Sequence, residues 1–516
     1  MNGSLRRNMA WIHGWLGLVA GWLLFAMFLT GTASYFRPEI TRWMQPEVDA
    51  HAVPAGVAAT SAVRYLQSVG PDDEAWYLSL PTDREPVTRV FITPNAKAAD
   101  TGHNRPNELS LDGVTGQPVH GRETRGGEHF YRFHFQLQLP YPWGRWLASL
   151  CALFMLGAII SGVVTHKRIF ADFFTLRWNK GQRSWLDAHN VSAVLALPYH
   201  AVITYTGLIT LVVMYMPYPI LSNYAKPADF AQAAYRYPAE TAAAGRAAPL
   251  VPVAPLIADA QARWHAPAAI VTIRNPNDAA AAVTIYRSPR ASLNARGPTL
   301  TYSGATGRLI AASGDAGPAL TTAGVMLGLH VAQFARPALR WTLFGLGLTG
   351  AAMVGTGLLL WTAARRRPNA APFFGLRLVE RLNIATIVGL PIGMAAFLLA
   401  NRLIPADLPG RADREVAAMF WTWGVVALLQ FARPTRRAWR EGFALGALAF
   451  AAIPLANAVT TGRGLPGSLL RDDTLFAAFD LAMLAIAILF GVASWRAGRP
   501  PRPAARRIRQ TETIHA

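Results

Sequence analysis

Apolar residues in this chain fall into blocks about as long as a helix needs to cross a bilayer, and that clustering limits the fold more than any other feature. About 20 residues rising about 1.5 Å each cover about 30 Å of hydrocarbon. Such blocks run from Trp15 to Phe36, Trp146 to Thr165, Val191 to Met216 and Trp341 to Thr362, and again from Ile384 to Leu399, Val416 to Ala432, Phe443 to Val459 and Leu475 to Trp495. Of the 516 residues 52% are hydrophobic and 15% are charged, where soluble chains carry about a quarter charged residues. The expected fold is a polytopic α-helical membrane protein with eight transmembrane helices.

The first block could instead be read as a cleaved signal peptide, since Arg6 and Arg7 precede it. Trp22, Phe25 and Phe28 make it bulky, and no small-x-small cleavage site follows before Tyr35, Phe36 and Arg37, so it is retained as a helix. Every second connection is Arg-rich: Arg6-Arg7, Lys167-Arg168 through Arg183, Arg365 to Arg367, Arg433 through Arg440, and the tail from Arg496 to Arg509. Basic loops stay cytoplasmic, so both termini are expected in the cytoplasm of a bacterial inner membrane. The net charge of +20 sits beside the spans, where it sets topology and meets anionic headgroups; nucleic acid is not expected as a partner. The single cysteine, Cys151, excludes an internal disulfide framework and a dithiol redox centre.

A search for self-similarity is the next step. His13 precedes Thr30-Gly31 by 17 residues, and His189 precedes Thr206-Gly207 by 17. His134 with Arg145-Trp146 and Ser161-Gly162 parallels His330 with Arg340-Trp341 and Thr356-Gly357. Between each pair of spans lies a polar segment with the same order of elements: a helical stretch (Ala55 to Val69; Pro255 to Trp264), alternating strands (Trp76 to Leu80 and Val87 to Ile92; Ile270 to Ile273 and Ala282 to Tyr286), then strand, Thr-Gly turn and strand (Leu109 to Val119; Leu300 to Ile310). Thr-Gly between alternating runs reads as a turn. The first four spans are expected to be a duplicated helix, small α+β domain, helix unit. The expected organisation is residues 1–36 for the N-terminus and first span, 37–142 and 217–329 for two periplasmic domains, 143–166, 188–216 and 330–363 for the second to fourth spans, 167–187 and 364–381 for cytoplasmic loops, 382–496 for a four-helix extension and 497–516 for a basic tail.

The run His13-Gly14-Trp15-Leu16-Gly17-Leu18 with Thr30-Gly31, the segment Arg183-Ser184-Trp185-Leu186-Asp187-Ala188-His189, and the paired segments closing on Thr-Gly resemble the PepSY-associated transmembrane proteins over roughly residues 8–366. The resemblance implies that the two outer segments are PepSY-like domains. It also implies an iron-regulated inner-membrane protein, since members similar to this chain are haem-containing ferric-siderophore reductases. Nothing in it speaks to the last four helices.

Six of the twelve histidines, His13, His134, His166, His189, His200 and His330, lie at or near the first four spans. One interfacial histidine is more often a helix cap or a headgroup contact than a ligand, but six together, four at repeat-related positions, favour a site. A membrane cytochrome b needs two imidazoles facing a flat cofactor from different helices, so haem b, two copies, is the expected cofactor, its iron held by a subset of these six. His189 and His200 lie eleven residues apart, about 16 Å of rise on one helical face. The repeat favours His13 with His189 and His134 with His330. Depth instead allows His200 with an outer histidine and His166 with an inner one, and the sequence leaves both pairings open. His51, His103, His120, His129, His265 and His515 read as surface residues, and Trp11, Trp15, Trp143, Trp146, Trp341 and Trp361 as an interfacial belt. Pro198 and Pro217 are expected to kink or end the third span.

The first expectation is a diheme reductase that takes electrons from a quinol or cytoplasmic donor and reduces a periplasmic ferric siderophore. A non-redox regulator or sensor whose outer domains bind peptide or protease is the second, and a transporter is the third. Few acids lie inside the spans, Asp480 being the clearest, which argues against a coupling-ion path. No nucleotide fingerprint or nucleophile triad is visible, so no dehydrogenase domain or catalytic side chain is assigned.

Overall fold

The computed structural model describes residues 3–49, 51–95, 108–166, 173, 175–235, 242–313, 317–367 and 370–499. Seven helices in it are long and apolar enough to span a membrane: Ser4–Met44, Trp143–Thr165, Pro337–Arg365, Phe374–Leu403, Arg411–Ala432, Thr435–Thr461 and Thr474–Gly498. An eighth span is made by the pair Gln182–Leu195 and Leu197–Thr210 if the two are one broken crossing, bent by 68°. The break falls at Ala196, with Pro198 in the first turn of the second half, where a missing N–H costs no helical hydrogen bond. A third of the most apolar window of Trp143–Thr165 is buried inside the protein, so most of its side chains face outward. Outward-facing apolar helices of this kind have lipid as their solvent, and the chain is a multi-pass membrane protein. Lys167, Arg168, His103, His515 and the tail beyond residue 499 lie outside the described residues.

The chain divides into two compact units, Met1–Val379 with Ala400–Ala417, and Glu380–Leu399 with Ala418–Ala516. In the first unit α1 (Gly3–Ala33) runs through a 3-10 turn into α2 (Arg37–Met44). It packs against α5 (Trp143–Thr165) and α10 (Pro337–Arg365); α10 packs on α6 (Gln182–Leu195), and α7 (Leu197–Thr210) packs on α5 and on α9 (Gly317–Val331). A short helix, α4 (Glu128–Gln136), lies against α1 and α5.

The two polar segments do not form separate sheets. Their strands β1 (Ala75–Ser79), β2 (Thr88–Thr93), β3 (Glu108–Leu111), β4 (Ala268–Arg274), β5 (Ala282–Arg287), β6 (Thr299–Ser303) and β7 (Leu309–Ala312) make one seven-stranded sheet in the order β3-β2-β1-β4-β5-β6-β7. The two halves meet where β1 pairs antiparallel with β4, from Ala75 opposite Arg274 to Ser79 opposite Ile270. Joining them removes two exposed strand edges, each a template for aggregation. Period-two alternation puts Trp76, Leu78, Val90, Ile92, Val271, Ile273, Val283, Ile285, Leu300 and Tyr302 on one face. There α3 (Ala55–Val69) and α8 (Val253–Trp264) close a single core over them. The helices touch at Gly56, where a Cβ would stand 3.1 Å from the Ala254 Cβ. The two expected Thr-Gly hairpins fold differently. Leu300 to Ile310 forms β6 and β7, but past β3 the chain makes only an isolated bridge between Leu111 and Pro118. Asp112 takes over that turn, accepting from the Val114 and Thr115 amides and the Thr115 hydroxyl, which holds its carboxyl below the usual range, the Thr115 amide contributing most.

The second unit is built on α11 (Thr435–Thr461) and α12 (Thr474–Gly498), with Ile384, Val388, Ile392, Val426 and Ala438 forming a core. Asp480, fully buried, accepts from Asn457 Nδ2 at 3.0 Å. No histidine lies in this unit's described residues.

Candidate functional site

The six histidines at the spans separate into two close pairs and two single residues. His13 on α1 and His189 on α6 have ring centres 6.0 Å apart with planes at 67°. His134 on α4 and His330 on α9 are also 6.0 Å apart, with planes at 28°. The second pair lies on the sheet side of the spans, because the helix carrying His134 follows the first polar segment directly. It rests on Gly31, 18 residues along the chain from His13, which at about 1.5 Å per residue is about 27 Å.

All four rings are seated in the same way. His13 Nδ1 lies 2.8 Å from the Ala158 carbonyl oxygen, His189 Nδ1 2.8 Å from Met353 O, His134 Nδ1 2.7 Å from Met27 O and His330 Nδ1 3.0 Å from Ile203 O. Each carbonyl belongs to the residue four before a glycine, and each ring rests on that glycine. A Cβ on Gly162 or Gly357 would come within 3.1 Å of the imidazole, and one on Gly207 or Gly31 within 2.8 Å or 2.6 Å. The hydroxyl residue before the glycine bonds the same carbonyl in three of the four seats: Ser161 to Ala158 O, Thr206 to Ile203 O and Thr356 to Met353 O. The Thr-Gly and Ser-Gly pairs seen in the sequence therefore have a local role. Glycine admits the ring, and the helix supplies an acceptor that fixes its tautomer.

With Nδ1–H given to a carbonyl, Nε2 keeps its lone pair, which is the state of a metal-ligating imidazole. Two metal–imidazole bonds of about 2 Å each take up about 4 Å of such a spacing, and two half-rings occupy the rest of the 6.0 Å. Among the described residues no group of three or more His, Cys, Asp or Glu could hold a metal ion. The pairs thus suit a metal that brings its other ligands in its own macrocycle.

His166 and His200 stand apart. His166 Nε2 is 3.1 Å from Asn190 Nδ2. His200 is fully buried, edge-on to Phe28 at 5.9 Å, with Nε2 3.4 Å from the Thr349 hydroxyl. Neither Nδ1 has a hydrogen bond of ordinary length. The break at Ala196 also means that His189 and His200 do not share the single straight helix from which a rise of about 16 Å was expected. His51, His120 and His265 are exposed as expected, but His129 is buried against Phe130 and Phe133, with Gln138 Nε2 3.3 Å from its Nδ1. Burial pushes its imidazole down to about 4, and the charge of Arg125 acts in the same direction.

Two polar features escaped sequence reasoning. In the first turn of α2, Glu39 takes a two-pronged bond from Arg84 at 2.7 Å and lies 3.5 Å from Arg340. Elsewhere, Arg411, Glu415, Asn401 and Arg122 form a buried cluster that Thr124 and the exposed Glu47 join. Only Arg411 and Glu415, four residues apart on one helix, show a spacing that sequence rules look for; the other members come from distant parts of the chain.

The model of the PepSY-associated TM region family matches residues 10–364. That range holds both histidine pairs, their four glycine seats and the whole sheet, and the chain belongs to this family. No curated protein matches it.

Proposed function

Starting from that family membership, we propose that the protein is an inner-membrane reductase that holds two b-type haems and delivers electrons to a ferric siderophore on the sheet side. The observation that carries this reading is the pair of close imidazoles, twice over, each with ring centres 6.0 Å apart and each anchored through Nδ1. His13 with His189 would hold one haem and His134 with His330 the other. Haem iron between two imidazoles supplies one-electron transfer.

The protein's own part is to place and orient. The backbone carbonyls of Ala158, Met353, Met27 and Ile203 fix four imidazoles in the Nδ1–H form, and the glycines let the rings lie against the helices. The spans exclude water around them. The Arg-rich connections favour both termini in the cytoplasm; on this reading the sheet would lie in the periplasm and the His13–His189 level nearer the donor, a quinol or cytoplasmic reductant. One electron converts the chelated Fe(III) to Fe(II), which hard hydroxamate or catecholate oxygens hold far less tightly, and the metal is released.

The test is to purify the full chain in detergent, extract and count the haem, and record a dithionite-reduced spectrum. Two haems per chain with b-type bands are expected. Absence of stoichiometric haem would sink the reading and favour a peptide-binding regulator built on the sheet.

A further inference from the structure

Two guanidinium groups, Arg84 and Arg340, meet one carboxylate at the sheet-side boundary of the spans, and the charge of a third, Arg290, acts on Arg340. Arg84 donates from both prongs to Glu39 at 2.7 Å, and one prong also meets the Tyr35 carbonyl at 2.7 Å. That fork satisfies Glu39, leaving Arg340 a longer contact of 3.5 Å and a bond to the Ala335 carbonyl at 3.1 Å. Arg290 is exposed, makes no ion pair among the described residues, and adds its charge to the surroundings of Arg340. Arg340 is 8% exposed, and an arginine buried that far is ordinarily matched by an anion. Here two positive charges remain beyond what Glu39 neutralises.

The cluster also has a definite place. Glu39 lies on α2, eight residues beyond Gly31, the seat of His134, and across the 3-10 turn that joins α1 to α2. Arg340 follows His330 by ten residues. Trp341 packs tilted against Phe36 at 4.5 Å and Phe344 edge-on at 5.3 Å, and together they give the site an aromatic flank.

We propose that Arg84, Arg290 and Arg340 form a carboxylate-binding site just beyond the His134–His330 pair. Guanidinium forks match carboxylate oxygens two to two and keep their charge at any physiological pH. The carboxylates come either from a haem held by that pair or from an anionic ferric chelate arriving at the sheet side. Only this choice of occupant rests on the reductase reading; the excess of arginine does not.

The experiment compares Arg340→Gln, Arg340→Lys and wild type as full-length protein in detergent, by redox titration of bound haem and by calorimetric titration with ferric citrate and with a neutral ferric tris-hydroxamate. If haem carboxylates occupy the site, Arg340→Gln lowers the midpoint potential of one haem and leaves the other in place, and Arg340→Lys restores it. If the chelate occupies it, Arg340→Gln weakens ferric citrate about tenfold, the cost of one charge-assisted bond, and leaves the neutral chelate unchanged. Unchanged potentials together with unchanged citrate binding overturn the proposal. Should the wild type carry no haem, the reductase reading fails while the citrate titration still decides the site. Arg290→Gln, on an exposed residue, carries the same comparison if Arg340→Gln does not fold.

Discussion

The imidazole of His134 occupies the space that a side chain on Gly31 would fill: a Cβ there would stand 2.6 Å from Nδ1, and that nitrogen lies 2.7 Å from the Met27 carbonyl oxygen one turn back. A helix with glycine above a carbonyl that can accept a further hydrogen bond is a seat for a flat polar ring. The same arrangement under His13, His189 and His330 is graded in tightness, from 3.1 Å at Gly162 and Gly357 to 2.8 Å at Gly207. Gly31→Ala and Gly207→Ala must therefore displace their rings, whereas Gly162→Ala and Gly357→Ala need shifts of only a few tenths of an ångström. The expected order of haem loss, read from the reduced spectrum, is Gly31→Ala and Gly207→Ala well ahead of the other two. Equal losses at all four would show that the seats do not govern the rings.

Arg411 and Glu415 pair at 2.7 Å with neither side chain exposed. Asn401 and Thr124 also donate to Glu415, while Arg411 reaches the Glu123 and Asn401 carbonyls. Removing one partner strands the other charge out of water, at a cost of about 3–5 kcal/mol. Glu415→Ala should lower the thermal midpoint of the purified protein sharply. Arg411→Met with Glu415→Leu should recover part of that loss. A double variant worse than the sum of the singles would contradict the assignment of the cost to an unpaired charge.

His129 gives the fold a weakness in acid. Its folded-state pKa of about 4 lies below the unfolded value of about 6.5, so the unfolded chain takes up the proton first. Stability is then complete above about pH 6.5 and falls progressively towards pH 4, by roughly 3 kcal/mol over the whole interval. His129→Phe, which keeps the stack on Phe133 without a titrating group, should flatten that slope in denaturation followed from pH 7 to 4. An unchanged slope would place the acid sensitivity elsewhere.

Much of this was visible in the residues themselves. Length and hydropathy located the spans because lipid tolerates only long apolar helices, and α3 begins and ends at Ala55 and Val69 as the Ala-rich run indicated. The strands of both outer segments could be read from their alternation. That the segments would share one sheet could not, since the β1–β4 pairing joins residues about two hundred apart with no local signal. The histidines were found by type and position, and their proximity as two pairs is long-range geometry. The burial of His129 was missed because a lone histidine between Glu128 and Phe130 looks the same in sequence whether its helix faces solvent or packs on α1. The Arg84–Glu39–Arg340 group likewise exists only once three separate stretches of chain are folded together.

The proposal that two imidazole pairs each hold a haem is tested most directly by alanine at each of the six membrane histidines, with haem content and the reduced spectrum as the readout. His13→Ala and His189→Ala should each remove or alter one haem, His134→Ala and His330→Ala the other, and His166→Ala and His200→Ala should keep both. Loss of a haem at His200 with retention at His13 would contradict the account.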